Sequence, residues 1–232
     1  MQLAVSLTQK QVNHACRVHR QLTQWCLSDL ALEQLGKKFR NFSPEACLLK
    51  TVAVNAIYGT RMLATVRMAK HIEGIFSKCN TTASGADLVE RIAALPPGPG
   101  AKSRREISFA SKFCHFFVNS KIPIYDGAAK AVIKLHLGTK ACATNKARPY
   151  LAFCTNFNCL RRLAKLKCKT KELDHYLWLT GMYMRWLKQR SRAQPRVNAE
   201  LRRIFGHPSR TVAAALDAML PPRLPRTFKA KR

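Results

Sequence analysis

Residues 107–119 read ISFASKFCHFFVN, a run in which the few polar side chains are regularly placed. At about 100° per residue on a helix, Ser108, Ser111, Lys112, His115 and Asn119 fall on one narrow stripe. Phe109, Ala110, Phe113, Cys114, Phe116, Phe117 and Val118 take the rest of the circumference. A helix this apolar is buried, so its polar stripe faces buried partners or a cleft. Lys112 sits in the middle of it. A lysine partly withdrawn from water has its ammonium form disfavoured, and the resulting amine is a nucleophile at neutral pH. His115, one turn on, is a candidate for contact with a phosphate or a ligand pocket, a packed structural histidine being the alternative.

Just downstream, KIPIYD at 121–126 leads into GAAKAVIKLHLG, a new helix with Asp126 as its N-cap and Gly138 at its end. Asp126 is the only acidic residue between Glu106 and Glu172. A carboxylate at a helix N-terminus in such a basic field stays ionised, which suits it to stabilise a cationic intermediate rather than to donate a proton. Each residue taken singly also has an ordinary structural explanation: aspartate is a common N-cap, and a lysine on a buried helix can snorkel to solvent.

These residues must be carried by a helical scaffold. Thr8 and Gln11 form a capping box ahead of a helical pattern that runs toward Gly36, with a break expected near Ser28-Asp29. Ser43-Pro44-Glu45 supplies an N-cap, an N1 proline and a first-turn acid for a helix through Ile57, interrupted at Tyr58-Gly59-Thr60 and followed by another through Ile72. Ser84 and Asp87 cap a helix through Leu95, and Pro96-Pro97-Gly98-Pro99-Gly100 ends it. Further helices are expected over 107–118, 127–137, 149–165, 171–188, 197–205 and 210–220. Trp178, Tyr183 and Trp186 recur at core spacing in the penultimate long one. No stretch alternates as a strand does. The expectation is an all-α, two-lobed domain over residues 1–220, with a break near 96–105 and a basic tail, 221–232, without fixed structure.

The composition narrows the partners. The 232 residues carry 41 Lys+Arg against 12 Asp+Glu, a formal charge of +29, while 47% hydrophobic content is enough for a core. That balance points to a polyanion and away from a metabolic enzyme of neutral surface. No apolar run approaches the ~18 residues of a membrane span, and the N-terminus does not read as a signal peptide. The nine cysteines, at 16, 26, 47, 79, 114, 142, 154, 159 and 168, are dispersed, odd in number and lack a C-x-x-C pair. Buried free thiols in a reducing compartment are expected, with no metal site.

The apolar helix bearing Ser111-Lys112, the short turn, and Ile122-Pro123-Ile124-Tyr125-Asp126 opening the next helix resemble the catalytic core of the helix-hairpin-helix DNA glycosylase superfamily, which includes endonuclease III-type and 8-oxoguanine glycosylases. The resemblance implies that Lys112 attacks the anomeric carbon to form a Schiff base and that Asp126 supports departure of the base. Residues 48–61, LLKTVAVNAIYGTR, are similar to a helix and loop of the family that fills the gap left by an extruded nucleotide, which implies DNA contacts for Asn55, Tyr58 and Arg61. The similarity covers about residues 43–138. Directly before Lys112, residues 104–111 carry no glycine where the family's hairpin reads Gly-x-Gly, so anchoring of DNA is assigned to the side chains of Lys102, Arg104 and Arg105. The implied function is a DNA N-glycosylase, with or without lyase activity, that needs no cofactor. It would act as a monomer on double-stranded DNA with a damaged or modified base, in a nucleoid-associated cytoplasmic or nuclear setting, neither secreted nor at a membrane. The alternative is a non-catalytic nucleic-acid-binding protein that keeps the helical fold, and a third reading, from charge alone, is an RNA-associated basic protein.

Overall fold

The computed structural model describes residues 2–78, 84–100, 104–189 and 197–222, and they are all-helical, with no strand among them. Lys102, Cys79 and most of the C-terminal tail lie outside the described residues. The chain divides into two compact units: one is Met1–Cys26, Asp126–Ala143 and Thr155–Arg232, the other Leu27–Tyr125 and Thr144–Cys154. No helix among the described residues is long and apolar enough to cross a membrane.

The first unit is built on α1 (Gln9–His19), α7 (Gly127–Leu137), α9 (Thr170–Gln189), α10 (Ala199–Gly206) and α11 (Arg210–Met219). The capping box forms as the sequence indicates, with the Gln11 backbone N–H donating to Thr8 Oγ1 and Gln11 Oε1 accepting from Thr8 N at 2.8 Å. The buried face of α1, Val12, Ala15 and Val18, packs on α9 and α11, and Gln11 Nε2 reaches the Leu220 carbonyl at 3.1 Å to satisfy the end of α11. Helices α7 and α9 come close because position 181 has no side chain: a Cβ there would sit 2.7 Å from the Ala128 carbonyl oxygen. Tyr183 and Trp186 stack at 5.8 Å and both pack on Phe205, so these aromatics are core. His136 is fully buried, with Nδ1 2.9 Å from the Val5 carbonyl and Nε2 2.9 Å from Tyr176 Oη. Burial lowers its pKa, and a neutral ring donating from Nδ1 and accepting the tyrosine O–H satisfies both contacts.

The break in the first helical stretch comes earlier than Ser28-Asp29. α2 (Thr23–Lys38) restarts at Thr23 because Glu200, six percent exposed on α10, accepts the Gln24 backbone N–H at 3.0 Å and acts as a cap supplied from a distant segment. Sequence-local signals could not announce it.

The second unit holds most of α2 with α3 (Pro44–Tyr58), α4 (Thr65–Lys78), α5 (Gly85–Ala93) and α6 (Ile107–Phe117). α3 packs on α4 and α6, and α5 packs on α6. Ser43 and Ser84 cap α3 and α5 through the N–H groups of Ala46 and Asp87. Phe109 and Phe113 of α6 are fully buried, and Phe42 stacks on Phe76 with ring centroids 3.6 Å apart. Burying each such ring contributes roughly 1.5–3 kcal/mol, which fixes α6 within this core. Here too a carboxylate caps a helix from afar: Glu90 of α5 accepts from Tyr150 N at 2.7 Å and Leu151 N at 3.2 Å, at the start of α8 (Pro149–Leu163).

Candidate functional site

The polar stripe of α6 is real, and its members divide between two tasks. Ser111 is fully buried, and its Oγ accepts the Tyr125 backbone N–H at 2.9 Å. His115 Nδ1 lies 2.8 Å from the Ile122 carbonyl, so that nitrogen donates. The Tyr150 hydroxyl donates to the Pro123 carbonyl at 2.7 Å. Three side chains thus pin residues 122–125, the strap that leads to Asp126. His115 is only 3% exposed and acts here as a positioning residue for that strap. It also lines, with Lys37 and Arg40, an open groove of about 440 Å3.

Lys112 is placed differently. It is 5% exposed, and its Nζ donates to Ser108 Oγ at 2.7 Å and lies 3.3 Å from the Ser108 carbonyl. The same Nζ stands 5.4 Å from the centroid of the Tyr58 ring. Tyr58 is half-buried, packs on Phe116 at 5.8 Å and donates its hydroxyl to Asp29 Oδ1 at 2.6 Å. A lysine, a serine, a tyrosine and an aspartate are therefore linked in one polar cluster on the walls of an aromatic core. Asp29 is buried on α2, at 8% exposure, and nothing in the sequence around it indicated this role.

The remaining site residues sort by what already engages them. Asn55 Oδ1 accepts from Thr60 Oγ1 at 2.6 Å and from Met62 N at 3.0 Å, and its Nδ2 donates to the Met62 carbonyl at 2.9 Å. Its amide braces the loop after α3. Arg61 is exposed in that loop with φ 58°, and Gly59 before it is also left-handed at φ 53°. The tip that these turns create carries Leu63, 97% exposed, beside the exposed Val66. Leu63 is a candidate contact that sequence pattern alone did not single out. Arg104 pairs with Glu106 at 3.2 Å, and Arg105 pairs with Glu90 at 3.2 Å and donates to the Ala147 carbonyl. Arg105 is thus also part of the scaffold that holds the start of α8.

The connection between α5 and α6 spans residues 94–106 and contains Gly98-Pro99-Gly100, so a Gly-x-Gly stands between the two helices, upstream of the arginines. Gly100 is exposed with φ 69°, and a Cβ at Gly98 would collide with the Arg67 guanidinium. Asp126, in the other unit, caps α7 as expected: its Oδ1 accepts the Ala128 N–H at 2.6 Å.

The profile of a family described as an N-terminal domain, HI_0787_N, matches residues 11–121. A Haemophilus influenzae protein described only as uncharacterized is 31% identical over 136 residues, which is 55% of this chain and 62% of that relative. The chain therefore aligns with somewhat under two thirds of the length of the relative it matches. No solved structure matches it. The profile's span includes Lys112, Tyr58, Asn55, Arg61 and Leu63 but stops before Asp126. The similarity is thus to a stretch that contains the lysine cluster.

Among the described residues, Cys16, Cys47, Cys114, Cys142, Cys159 and Cys168 are free thiols. Burial pushes the Cys47 thiol up to about 11, and the fully buried Cys114 higher still, so neither is a nucleophile at neutral pH.

Proposed function

We propose that the protein binds DNA and excises a base from it, with Lys112 as the attacking amine. The observation that carries this reading is the Lys112 cluster: a lysine 5% exposed, its Nζ held by Ser108 Oγ and facing the Tyr58 ring, in a chain of charge +29. The serine oxygen orients the amine in surroundings largely closed to water.

The chemistry follows from that amine. A base inside a duplex is out of reach, so the nucleotide must be extruded, at an unstacking cost of about a few kcal/mol. The Nζ lone pair attacks C1′ as the C1′–N bond breaks, its electron pair leaving on the base, which takes up a proton equivalent to the one the amine gives up. Opening of the sugar then yields an imine between Lys112 and C1′. The resemblance assigns support for departure of the base to Asp126, whose carboxylate caps α7. Arg61 and Leu63, at the tip of the loop after α3, have the chemistry to meet a phosphate and an unstacked gap respectively. Gly100, exposed and with no side chain against it, would offer its backbone N–H to a phosphate, and the Arg67 guanidinium beside Gly98 would add a charge.

Borohydride reduction on duplex DNA with an abasic site tests the proposal, since it fixes an imine irreversibly. The wild type should form a covalent adduct and Lys112→Ala none. Asp126→Asn should slow base release by about a hundredfold or more while DNA binding persists. Binding without any adduct or base release would instead establish the non-catalytic alternative.

A further inference from the structure

Two thiols in the first unit, Cys142 and Cys159, have no part in the proposed excision. Cys142 follows the short 3-10 turn Thr139–Ala141 as its C-cap. The next residue, Ala143, is clasped by Asn156 of α8: Asn156 Oδ1 accepts the Ala143 N–H at 2.8 Å, and Asn156 Nδ2 donates to the Ala143 carbonyl at 2.9 Å. Cys159 lies three residues beyond Asn156 on the same helix, hence on the same face. The clasp therefore holds the backbone beside Cys142 against the face of α8 that carries Cys159. Both thiols are free and half-buried.

Their electrostatic setting agrees with that proximity. Partial burial raises the Cys142 thiol above its usual value, the Lys134 ammonium opposes the rise, and the charge of Cys159 adds to it. Burial is the larger influence, and Lys134 offsets part of it. Cys47 and Cys114 are wholly buried, and Cys16, near Cys168, is raised to about 11, chiefly by burial, with the Glu172 carboxylate adding to it.

We propose that Cys142 and Cys159 are a peroxide-responsive thiol pair that closes reversibly to a disulfide. The Cys142 thiolate attacks hydrogen peroxide, the O–O bond breaks, hydroxide leaves, and a sulfenic acid remains on Cys142. The Cys159 thiol then attacks that sulfur, the S–O bond breaks and water is expelled. Two thiols are oxidised while one peroxide is reduced to two waters. The bridge would tie the turn after α7 covalently to α8 and enclose residues 143–158. It would reopen by exchange with a small thiol, as a half-exposed disulfide does in a reducing compartment.

The test is mass mapping of the full chain. Protein reduced, freed of reductant and treated with hydrogen peroxide is alkylated and digested, and fragmentation separates Cys154 from Cys159 within their shared peptide. The expected dominant oxidised product is the Cys142–Cys159 linked peptide, lighter by two hydrogens and abolished by dithiothreitol, with Cys47 and Cys114 recovered alkylated. In Cys159→Ser the Cys142 sulfenic acid should accumulate and be trapped by dimedone. Recovery of Cys142 as a free thiol, its linkage to a different cysteine, or the same Cys142 product in wild type and Cys159→Ser would overturn the proposal.

Discussion

Two lysines are buried within the second unit, and they have opposite meanings. Lys50 of α3 is 1% exposed: its Nζ donates to the Asn41 carbonyl at 2.7 Å, stands 4.1 Å from the centroid of the Phe42 ring and 5.4 Å from that of Phe117. Lys112 of α6 is 5% exposed, but its neighbours are a serine hydroxyl and a tyrosine whose own hydroxyl is bound to a carboxylate. The first ammonium fastens the segment between α2 and α3 to the helix behind it. The second sits beside hydroxyl groups, the surroundings on which the proposed role of Lys112 rests. Burial alone therefore does not separate the two lysines; the groups around each ammonium do.

The largest separation between them should appear in borohydride trapping. Lys112→Ala is expected to abolish the adduct, whereas Lys50→Met should keep it, since Lys50 contributes packing and a carbonyl contact. Loss of trapping in a folded Lys50→Met protein would break the distinction. Stability should reverse the ranking. Lys50→Ala removes a side chain enclosed by two phenylalanine rings and should cost about 2–4 kcal/mol in urea denaturation. Lys50→Met fills most of that volume without a buried charge and should cost less than about 1.5 kcal/mol. Equal losses for both variants would mean that the ammonium and not the packing holds the loop.

A smaller effect is expected at Leu63, which shares the second unit with both lysines but lies in neither cluster. Leu63→Gln keeps the side chain's size and removes its apolar character. Folding should be unchanged, because a side chain 97% exposed contributes no core burial. Affinity for abasic-site DNA should fall about fivefold to tenfold, roughly 1–1.4 kcal/mol, if the leucine enters the gap in the stack. Unchanged affinity by fluorescence anisotropy would place Leu63 outside the contact surface.

What was legible in the sequence follows from which forces are local. Caps at Thr8, Ser43, Ser84 and Asp126, and the helices behind them, depend on neighbours a few residues away, and they stand where the pattern placed them. The stripe of α6 was legible for the same reason. Glu90 and Glu200, in contrast, cap helices begun far away in sequence, and no local signal announces such a partner. Lys50 was missed because α3 is unusual in its orientation: Lys50 and Thr51 point inward while Leu48, Leu49 and Val52 are exposed, the reverse of what periodicity leads one to expect. The Tyr58 contact with Asp29 is likewise tertiary, joining α2 to α3 across a loop.

The finest distinction concerns pH. Burial lowers the pKa of Lys50 below its ordinary value of 10.5, the charge of Cys47 opposing this in part. In the unfolded chain the amine therefore holds its proton to higher pH than in the folded one. Where the unfolded state binds more protons, stability rises with pH, so the desolvation penalty of Lys50 is present in full below its folded pKa and is relieved as pH climbs from there to 10.5. The neutral amine still donates to the Asn41 carbonyl, so relief comes without loss of the contact. Other groups titrate in the same range, and the informative quantity is the difference between wild type and Lys50→Met. That difference should shift in favour of the wild type as pH rises toward 10.5, read from paired urea titrations over the alkaline range. A difference that stays flat, or moves toward the variant, would mean that the folded protein solvates Lys50 as well as water does, and the contrast with Lys112 would then rest on neighbours alone.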